Sequence, residues 1–277
     1  MYLPTNASRA RTAFSRADLL VVIAVLVVLS VVRLSSLGGT RSSSNASQCA
    51  DNLRRIMQAW VMYADDHSGT LAPLGSGGSS AGKDPSNRSF LGGWLDFTGR
   101  YDNINPDLLV NREKAPYGAH LGEFLRRDVR VFRCPDDPVV VTVFGRPYSR
   151  IRSVSGNNWM GGAVYCSQSQ YRMVRRLEEI IGLEPANSLV VVDERPDSVN
   201  DSWFAVDMLG NFVDFPSYYH DGAGTLGFAD GHVEQWTWQD PRTITPVVTP
   251  GQLIPLNVPS PANADLDRLR SVASLRR

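Results

Sequence analysis

Carboxylates are concentrated in residues 193–201, where four acids and one amide stand within nine residues: Asp193, Glu194, Asp197, Asn200 and Asp201. Hard oxygen ligands at this density on a loop are typical of a calcium site. The spacing is not that of an EF-hand, and Arg195 can neutralise part of the charge. The competing interpretation is an acidic turn whose aspartates cap the backbone. Calcium is therefore the cofactor that this segment suggests, and the purely structural turn stays open.

A second group combines two histidines with acids near a glycine: His220, Asp221, Asp230, Gly231 and His232. A hairpin that turns between them can bring His220 close to Asp230 across the ladder. Two histidines and two aspartates can bind zinc or act as an acid and base pair. No G-x-S-x-G elbow and no neighbouring cysteine supplies a nucleophile, so no catalytic residue is assigned. Asp230-Gly231 also suits a tight turn, and in that interpretation His220 only hydrogen-bonds a loop.

The three cysteines are Cys49, Cys134 and Cys166. None belongs to a C-x-x-C pair, so the sequence argues against a cysteine zinc site. If the domain lies outside the cytoplasm, one disulfide and one free thiol is the simplest arrangement, and any two of the three can pair. Three reduced, buried cysteines are the alternative.

The elements that must position these residues follow from periodicity. Residues 48–66 carry one apolar stripe at helical spacing and predict a helix. Residues 188–192 predict a buried strand that ends at Asp193, and residues 226–238 predict a hairpin that turns at 229–232. A strand is expected at 129–132 and a helix at 171–181. The proline-rich residues 243–277 are expected to form an extended C-terminal tail.

The N-terminus combines basic residues with an apolar run. Arg9, Arg11 and Arg16 precede residues 19–32, which contain no charge. This order is an export signature. Those 14 residues span about 21 Å as a helix, against about 30 Å for a bilayer core, and flanking apolar residues can extend the helix over 14–37. Lysine plus arginine equals aspartate plus glutamate, 28 each, so no attraction to nucleic acid is expected.

Residues 13–18, followed by the apolar run, resemble the processing signal of type IV pilin-like proteins. The resemblance implies that prepilin peptidase cleaves between Ala13 and Phe14 and that Phe14 is then N-methylated. It also implies that Asp18 pairs with the N-terminal ammonium of a neighbouring subunit. The family prefers Gly where this chain has Ala13, and Glu where it has Asp18.

Six further segments occur in an order that resembles pilin-like proteins of planctomycetes and verrucomicrobia, known as type II secretion system protein G-like or H-x9-D-G domain proteins. Nine residues separate His220 from Asp230, which is the motif of that group. The segments are residues 49–54, 63–66, 131–135, 157–162, 192–198 and 219–232. This resemblance implies an architecture and a location rather than a mechanism.

The expected fold is α+β: a long N-terminal hydrophobic helix followed by a pilin-like globular domain with an antiparallel sheet. The expected division is a basic leader at 1–13, a membrane helix at 14–37, a globular domain at 48–242 and a tail at 243–277. The expected function is a pseudopilin-type structural subunit, not an enzyme, in the cytoplasmic membrane with its globular domain outside the cytoplasm. Its expected partners are the membrane, the prepilin peptidase and other copies or pilin-like subunits of a secretion or pilus-like assembly.

Two alternatives remain. The first is an envelope enzyme or binding protein that uses His220 and Asp230, or the 193–201 cluster. The second is a secreted protein that loses about 37 N-terminal residues as an ordinary signal peptide. An acid at Asp18 inside the apolar helix favours the anchored subunit, because a discarded signal peptide has no use for it.

Overall fold

The computed structural model describes residues 16–164, 168–180, 184–244 and 251–277. Within the first helix it describes the side chains of residues 19–23, of residue 25, and from residue 44 onward. The chain divides into two compact units, one up to Ser44 and one from Asn45 to Arg277. Ala13 and Phe14 lie outside the described residues, as does the predicted leader at 1–13. Asp18 belongs to the first helix, but its side chain lies outside the description.

The first helix, α1, runs from Arg16 to Asp66 and corrects the expected N-terminal architecture. The helix continues through the small polar residues 38–47, so its apolar N-terminal part is not a separate element. Among the described residues, no helix is long and apolar enough to cross a membrane. The expectation of a long hydrophobic helix ahead of a pilin-like domain is wrong on this finding.

The larger unit is rich in β-structure, and its main sheet is mixed rather than antiparallel. In spatial order, its five strands are β5 (Trp203–Phe204), β3 (Val154–Asn157), β4 (Leu189–Asp193), β7 (Ala223–Phe228) and β8 (Val233–Thr237). β5 runs parallel to β3, because the loop after β4 returns to the far side of β3, and the other pairs are antiparallel.

Two small antiparallel pairs complete the β-structure of the described residues. The pairs join β1 (Val140–Val143) to β2 (Arg146–Ser149) and β6 (Asn211–Phe212) to β9 (Val258–Pro259). The predicted strand at 129–132 is instead a 3-10 turn, Val129–Phe132, in which Asp128 caps the amide of Arg130. The predicted helix at 171–181 is also wrong: within its described part only Leu177–Glu179 form a single 3-10 turn.

The C-terminal part of α1 packs against one face of the sheet. Its predicted stripe is confirmed, since Leu53, Ile56, Met57, Trp60 and Ala64 are all 1% exposed or less. Residue 227 of β7 is glycine because a Cβ there would stand 2.7 Å from Met57 Cγ and 2.8 Å from Val191 Cγ2. The Met57 side chain of the helix therefore packs directly on the backbone of β7. Cys49, in the first turns of the helix in this unit, contacts Asp193 at the end of β4 and Thr225 of β7.

The other face of the sheet is covered by the C-terminal segment, which the sequence predicted as an extended tail. Residues 264–273 form α3 (Ala264–Ala273), capped by Asn263, whose side chain accepts hydrogen bonds from the amides of Asp265 and Leu266. Leu266, Leu269 and Val272 join a second core with Trp159 and Trp236. The predicted boundary at residue 242 is thus wrong, because the tail supplies part of this core. A short helix α2 (Asp107–Val110) lies in the long connection before β1.

Candidate metal centre

Four segments that are distant in the sequence meet between α1 and the end of the sheet. Cys49 lies on α1, Cys134 follows the 3-10 turn Val129–Phe132, Asp193 ends β4, and His220 precedes β7. The four side chains are at most 5% exposed. We call these four residues the buried centre.

The ligating atoms of the buried centre converge on one point. Cys134 Sγ lies 3.4 Å from His220 Nε2, and Cys49 Sγ lies 3.7 Å from Asp193 Oδ2. One atom from each of the four residues can be chosen so that all four lie within 4.8 Å of one another. Among the described residues this is the only group of at least three His, Cys, Asp or Glu side chains arranged to hold a metal ion.

Neighbouring polar groups fix the orientation of each side chain in the buried centre. The Ser153 hydroxyl donates to Asp193 Oδ1, which leaves Oδ2 facing the cysteines, and the amide of Cys134 donates to the same hydroxyl at 2.8 Å. Asp136 Oδ2 lies 3.3 Å from His220 Nδ1, so Nε2 is the nitrogen that faces Cys134. His220 Nδ1 itself makes no regular hydrogen bond.

Burial shifts the pKa of each group of the buried centre in the direction that favours its uncharged form. It raises the pKa of Asp193 to about 7. The hydrogen bond with Cys49 and then burial raise the pKa of Cys134. The contact with Cys134 lowers the pKa of Cys49, but burial and the Asp193 carboxylate outweigh it and the net direction is upward. Burial lowers the pKa of His220, although Asp136 opposes it, so the imidazole is neutral and can act as a ligand.

The five residues predicted to bind calcium lie in three different environments. Asp193 belongs to the buried centre. Glu194 Oε1 accepts a hydrogen bond from Ser198, and both oxygens of Asp197 accept hydrogen bonds from Arg195. Asn200 and Asp201 line a separate cavity of about 320 Å³. The loop therefore does not bring the five predicted ligands together.

That cavity also contains an acid that the sequence analysis did not identify. Asp214 lines it together with Trp203, and Asp214 Oδ2 accepts a hydrogen bond from the amide of Ala205 at 2.6 Å. Asp201 accepts hydrogen bonds from the amides of Gly78 and Trp203. Burial, followed by the charges of Glu194 and Asp201, raises the pKa of Asp214 well above its ordinary value.

The H-x9-D-G motif is divided between two places. His220 belongs to the buried centre, whereas Asp230, Gly231 and His232 form the turn between β7 and β8. Asp230 Oδ1 lies 2.6 Å from His232 Nδ1 and also accepts from the His232 amide, and Gly231 has φ +93°. The expected approach of His220 to Asp230 does not occur, and Asp230 shapes the turn as the alternative interpretation expected.

For the two cysteines that the structure describes, the alternative of reduced, buried thiols holds. Cys49 and Cys134 are both free thiols and both buried, and Cys166 lies outside the described residues. The absence of a C-x-x-C pair argued against a cysteine metal site, yet two cysteines 85 positions apart converge. A usable signal was present: Cys49 lies four positions before Leu53, on the predicted buried stripe, and Asp193 ends a predicted buried strand.

One comparison with known proteins gives a match. Residues 41–178 match the model of a family described as "protein of unknown function (DUF1559)". The matched range contains Cys49 and Cys134 and ends before Asp193 and His220. No curated protein and no solved structure is significantly similar to the chain. The family description names no activity, and it does not test the pilin-type processing signal.

Proposed function

We propose that the protein is a non-enzymatic structural subunit that associates with the cytoplasmic membrane through the N-terminal part of α1 and keeps its larger unit outside the cytoplasm. One observation carries the proposal. Six consecutive or nearly consecutive apolar side chains of α1 are 45–66% exposed: Leu19, Leu20, Val21, Val22, Ile23 and Val25. An apolar surface of this kind marks a site that a membrane or a partner covers. The proposal concerns association and requires no particular depth of insertion.

The buried centre supports a structural role rather than catalysis. Its four chemistry-bearing side chains are nearly inaccessible, so a substrate cannot reach them in this state. It joins α1 to three other segments of the larger unit and thus fixes the C-terminal part of α1 on the sheet. His220 and Asp230, the pair on which an enzymatic alternative depended, lie in different places.

The sequence resemblance supports the finer part of the proposal. In this part, prepilin peptidase removes residues 1–13, Phe14 becomes the methylated N-terminus, and the chain assembles with other pilin-like subunits. Mass spectrometry of the mature N-terminus in the membrane fraction tests it. A methylated Phe14 would support subunit assembly, whereas a soluble chain that begins near Gly39 would mean a discarded signal peptide.

A paired substitution tests the association itself. We expect the full chain carrying Leu20→Asp and Ile23→Asp to move from the membrane fraction to the soluble fraction, because two charges interrupt the exposed apolar surface. The matched control is Leu209→Asp, since Leu209 is 65% exposed, much like Leu20, but lies in the larger unit. Equal membrane retention of both variants after an alkaline wash would refute the proposal.

A further inference from the structure

We propose that the buried centre is a structural zinc site in which Cys49 Sγ, Cys134 Sγ, His220 Nε2 and Asp193 Oδ2 are the four ligands. The inference deepens the structural role proposed for the centre by naming what holds it together. It does not depend on the membrane association, and the experiments below separate the two.

The spacing of the ligand atoms fits a tetrahedral ion. Zinc bonds of about 2.3 Å to sulfur, about 2.0–2.1 Å to nitrogen and about 2.0–2.2 Å to oxygen give ligand-to-ligand edges of about 3.4–3.8 Å. The Cys134 Sγ to His220 Nε2 distance is 3.4 Å, and the Cys49 Sγ to Asp193 Oδ2 distance is 3.7 Å. These two distances match two edges of the tetrahedron that share no ligand atom.

The chemistry of the donors selects the metal. Two thiolates and an imidazole suit zinc, whereas calcium and magnesium prefer sites built from oxygen. The four protein ligands fill the tetrahedron and leave no position for water or a substrate, which is the arrangement of structural rather than catalytic zinc. The predicted calcium chemistry therefore does not apply to Asp193.

The groups around the ligands complete the site. A histidine that binds zinc usually directs its other ring nitrogen at a carboxylate, and Asp136 Oδ2 lies 3.3 Å from His220 Nδ1. The Ser153 hydroxyl holds the second oxygen of Asp193, and Thr225 Oγ1 lies 3.5 Å from Cys49 Sγ. Each of these ligands is therefore already oriented by a neighbour.

A divalent cation stabilises the deprotonated forms of the three acidic ligands. Cys49, Cys134 and Asp193 are buried together, and no lysine or arginine hydrogen-bonds any of the three in the described part of the chain. A divalent ion offsets the cost of burying thiolates and a carboxylate, and its binding releases their protons. Because the ligands come from four distant segments, metal binding is also coupled to folding.

Metal analysis of the purified full chain, kept reduced, is the direct test. We expect one zinc ion per chain. Removal by a strong chelator should lower the Tm, and added zinc should restore it, because a ligand that binds only the folded state stabilises it. Added calcium should restore nothing. A metal-free protein whose Tm does not change with zinc would overturn the proposal.

Cobalt substitution reports the ligands without requiring that variants fold well. Cobalt(II) added to the metal-free wild-type chain should give the intense visible bands of a tetrahedral site and a sulfur-to-metal charge-transfer band. Cys49→Ser and His220→Ala should weaken or shift these bands. His232→Ala is the matched control, because it removes the other histidine of the same motif, which lies in the β7–β8 turn and contacts Asp230 and Glu234. Wild-type spectra without charge transfer from sulfur would exclude cysteine ligation.

Asp136 is a positioning residue, and its effect should appear in affinity. For Asp136→Asn we expect zinc affinity to fall by about 10–100-fold, while the cobalt spectrum keeps its tetrahedral form. An unchanged affinity would remove Asp136 from the site.

A disulfide between Cys49 and Cys134, found by peptide mapping of protein prepared under native conditions, would instead overturn the zinc proposal as a whole. The zinc site and the membrane association can be tested separately. A chain that loses zinc but keeps its membrane association, or the reverse, distinguishes this inference from the proposed function.

Discussion

The carboxyl group of Asp214 shows how burial of a single residue makes the stability of the fold depend on pH. Burial and two neighbouring acids raise its folded-state pKa, whereas the unfolded value is about 3.9. The folded state therefore keeps a proton that the unfolded state releases. Stability is highest below the unfolded pKa and falls as pH rises towards the folded pKa.

We expect Asp214→Asn to reduce this loss of stability with rising pH. The asparagine side-chain oxygen can still accept the hydrogen bond from the amide of Ala205, but the group no longer has to ionise. The slope attributable to one such group is at most about 1.4 kcal/mol per pH unit between the two pKa values. Urea unfolding of the full chain at several pH values measures the slope.

Asp240→Asn is the control for this prediction. Asp240 is half-buried, and hydrogen bonds from Arg242 lower its pKa to about 2, which is the opposite direction. Its substitution should therefore not reduce the loss of stability as pH rises. If Asp214→Asn and Asp240→Asn give the same pH profile as the wild-type chain, Asp214 does not hold its proton in the folded state.

Single residues could be selected from the sequence, but their partners could not. His220 and Asp193 were both identified as chemistry-bearing residues, each within a local cluster. The contacts that form the buried centre join Asp193 to Cys49, 144 positions away, and His220 to Cys134, 86 positions away. Sequence spacing reports neighbours along one helix or hairpin and contains no information on contacts of this range. Local clustering favoured Asp230 as the partner of His220, whereas in the structure His220 lies next to Cys134 and Asp136.

At the scale of elements, the packing of α1 on β7 depends on one glycine and one flexible side chain. The Cβ of any other residue at position 227 would press on Met57 Cγ and Val191 Cγ2. Both contacts are side-chain atoms, but Met57 is fully buried and has little space into which it can move. Excess volume at this position should separate the helix from the sheet.

We expect Gly227→Ala to destabilise the protein by about 1–3 kcal/mol, the usual range for an overpacked core. Met57→Ala should also destabilise, because it removes buried volume. The double variant Gly227→Ala, Met57→Ala should lose less stability than the sum of the two single changes, since the small side chain makes room for the new methyl group. Denaturant unfolding of the three variants measures the coupling, and strict additivity would contradict this account of the contact.

Elements with a clear periodicity of apolar residues could be predicted from the sequence, whereas elements determined by turn geometry could not. The stripe of 48–66, the buried strand before Asp193 and the hairpin at 226–238 were confirmed in type. Residues 129–132 alternate like a strand but form a 3-10 turn, because Asp128 caps the amide of Arg130 and Phe132 must reach the core. The parallel pairing of β5 with β3 depends on a long loop, which no local pattern encodes.

At the scale of the whole molecule, the C-terminal segment closes the second face of the sheet. The prolines of this segment suggested an extended surface tail, but the apolar residues after Asn263 recur at helical spacing over a short stretch. Leu269 is fully buried, the Arg268 guanidinium stacks on the Trp236 ring, and Asn157 Nδ2 donates to the carbonyl of Ala273. α3 is therefore part of the larger unit and not an appendage.

Removal of residues 260–277 should consequently destroy the cooperative unfolding transition of the larger unit, because it exposes the apolar face of the sheet. A milder test uses Leu269→Ala, for which we expect a loss of about 2–5 kcal/mol, typical of a buried leucine. Ser271→Ala, at an exposed position of the same helix, is the matched control and should change stability by less than about 0.5 kcal/mol. Circular dichroism during thermal and urea unfolding measures all three. A truncated chain that unfolds as cooperatively as the full chain would mean that the segment is a separable tail, as its prolines first suggested.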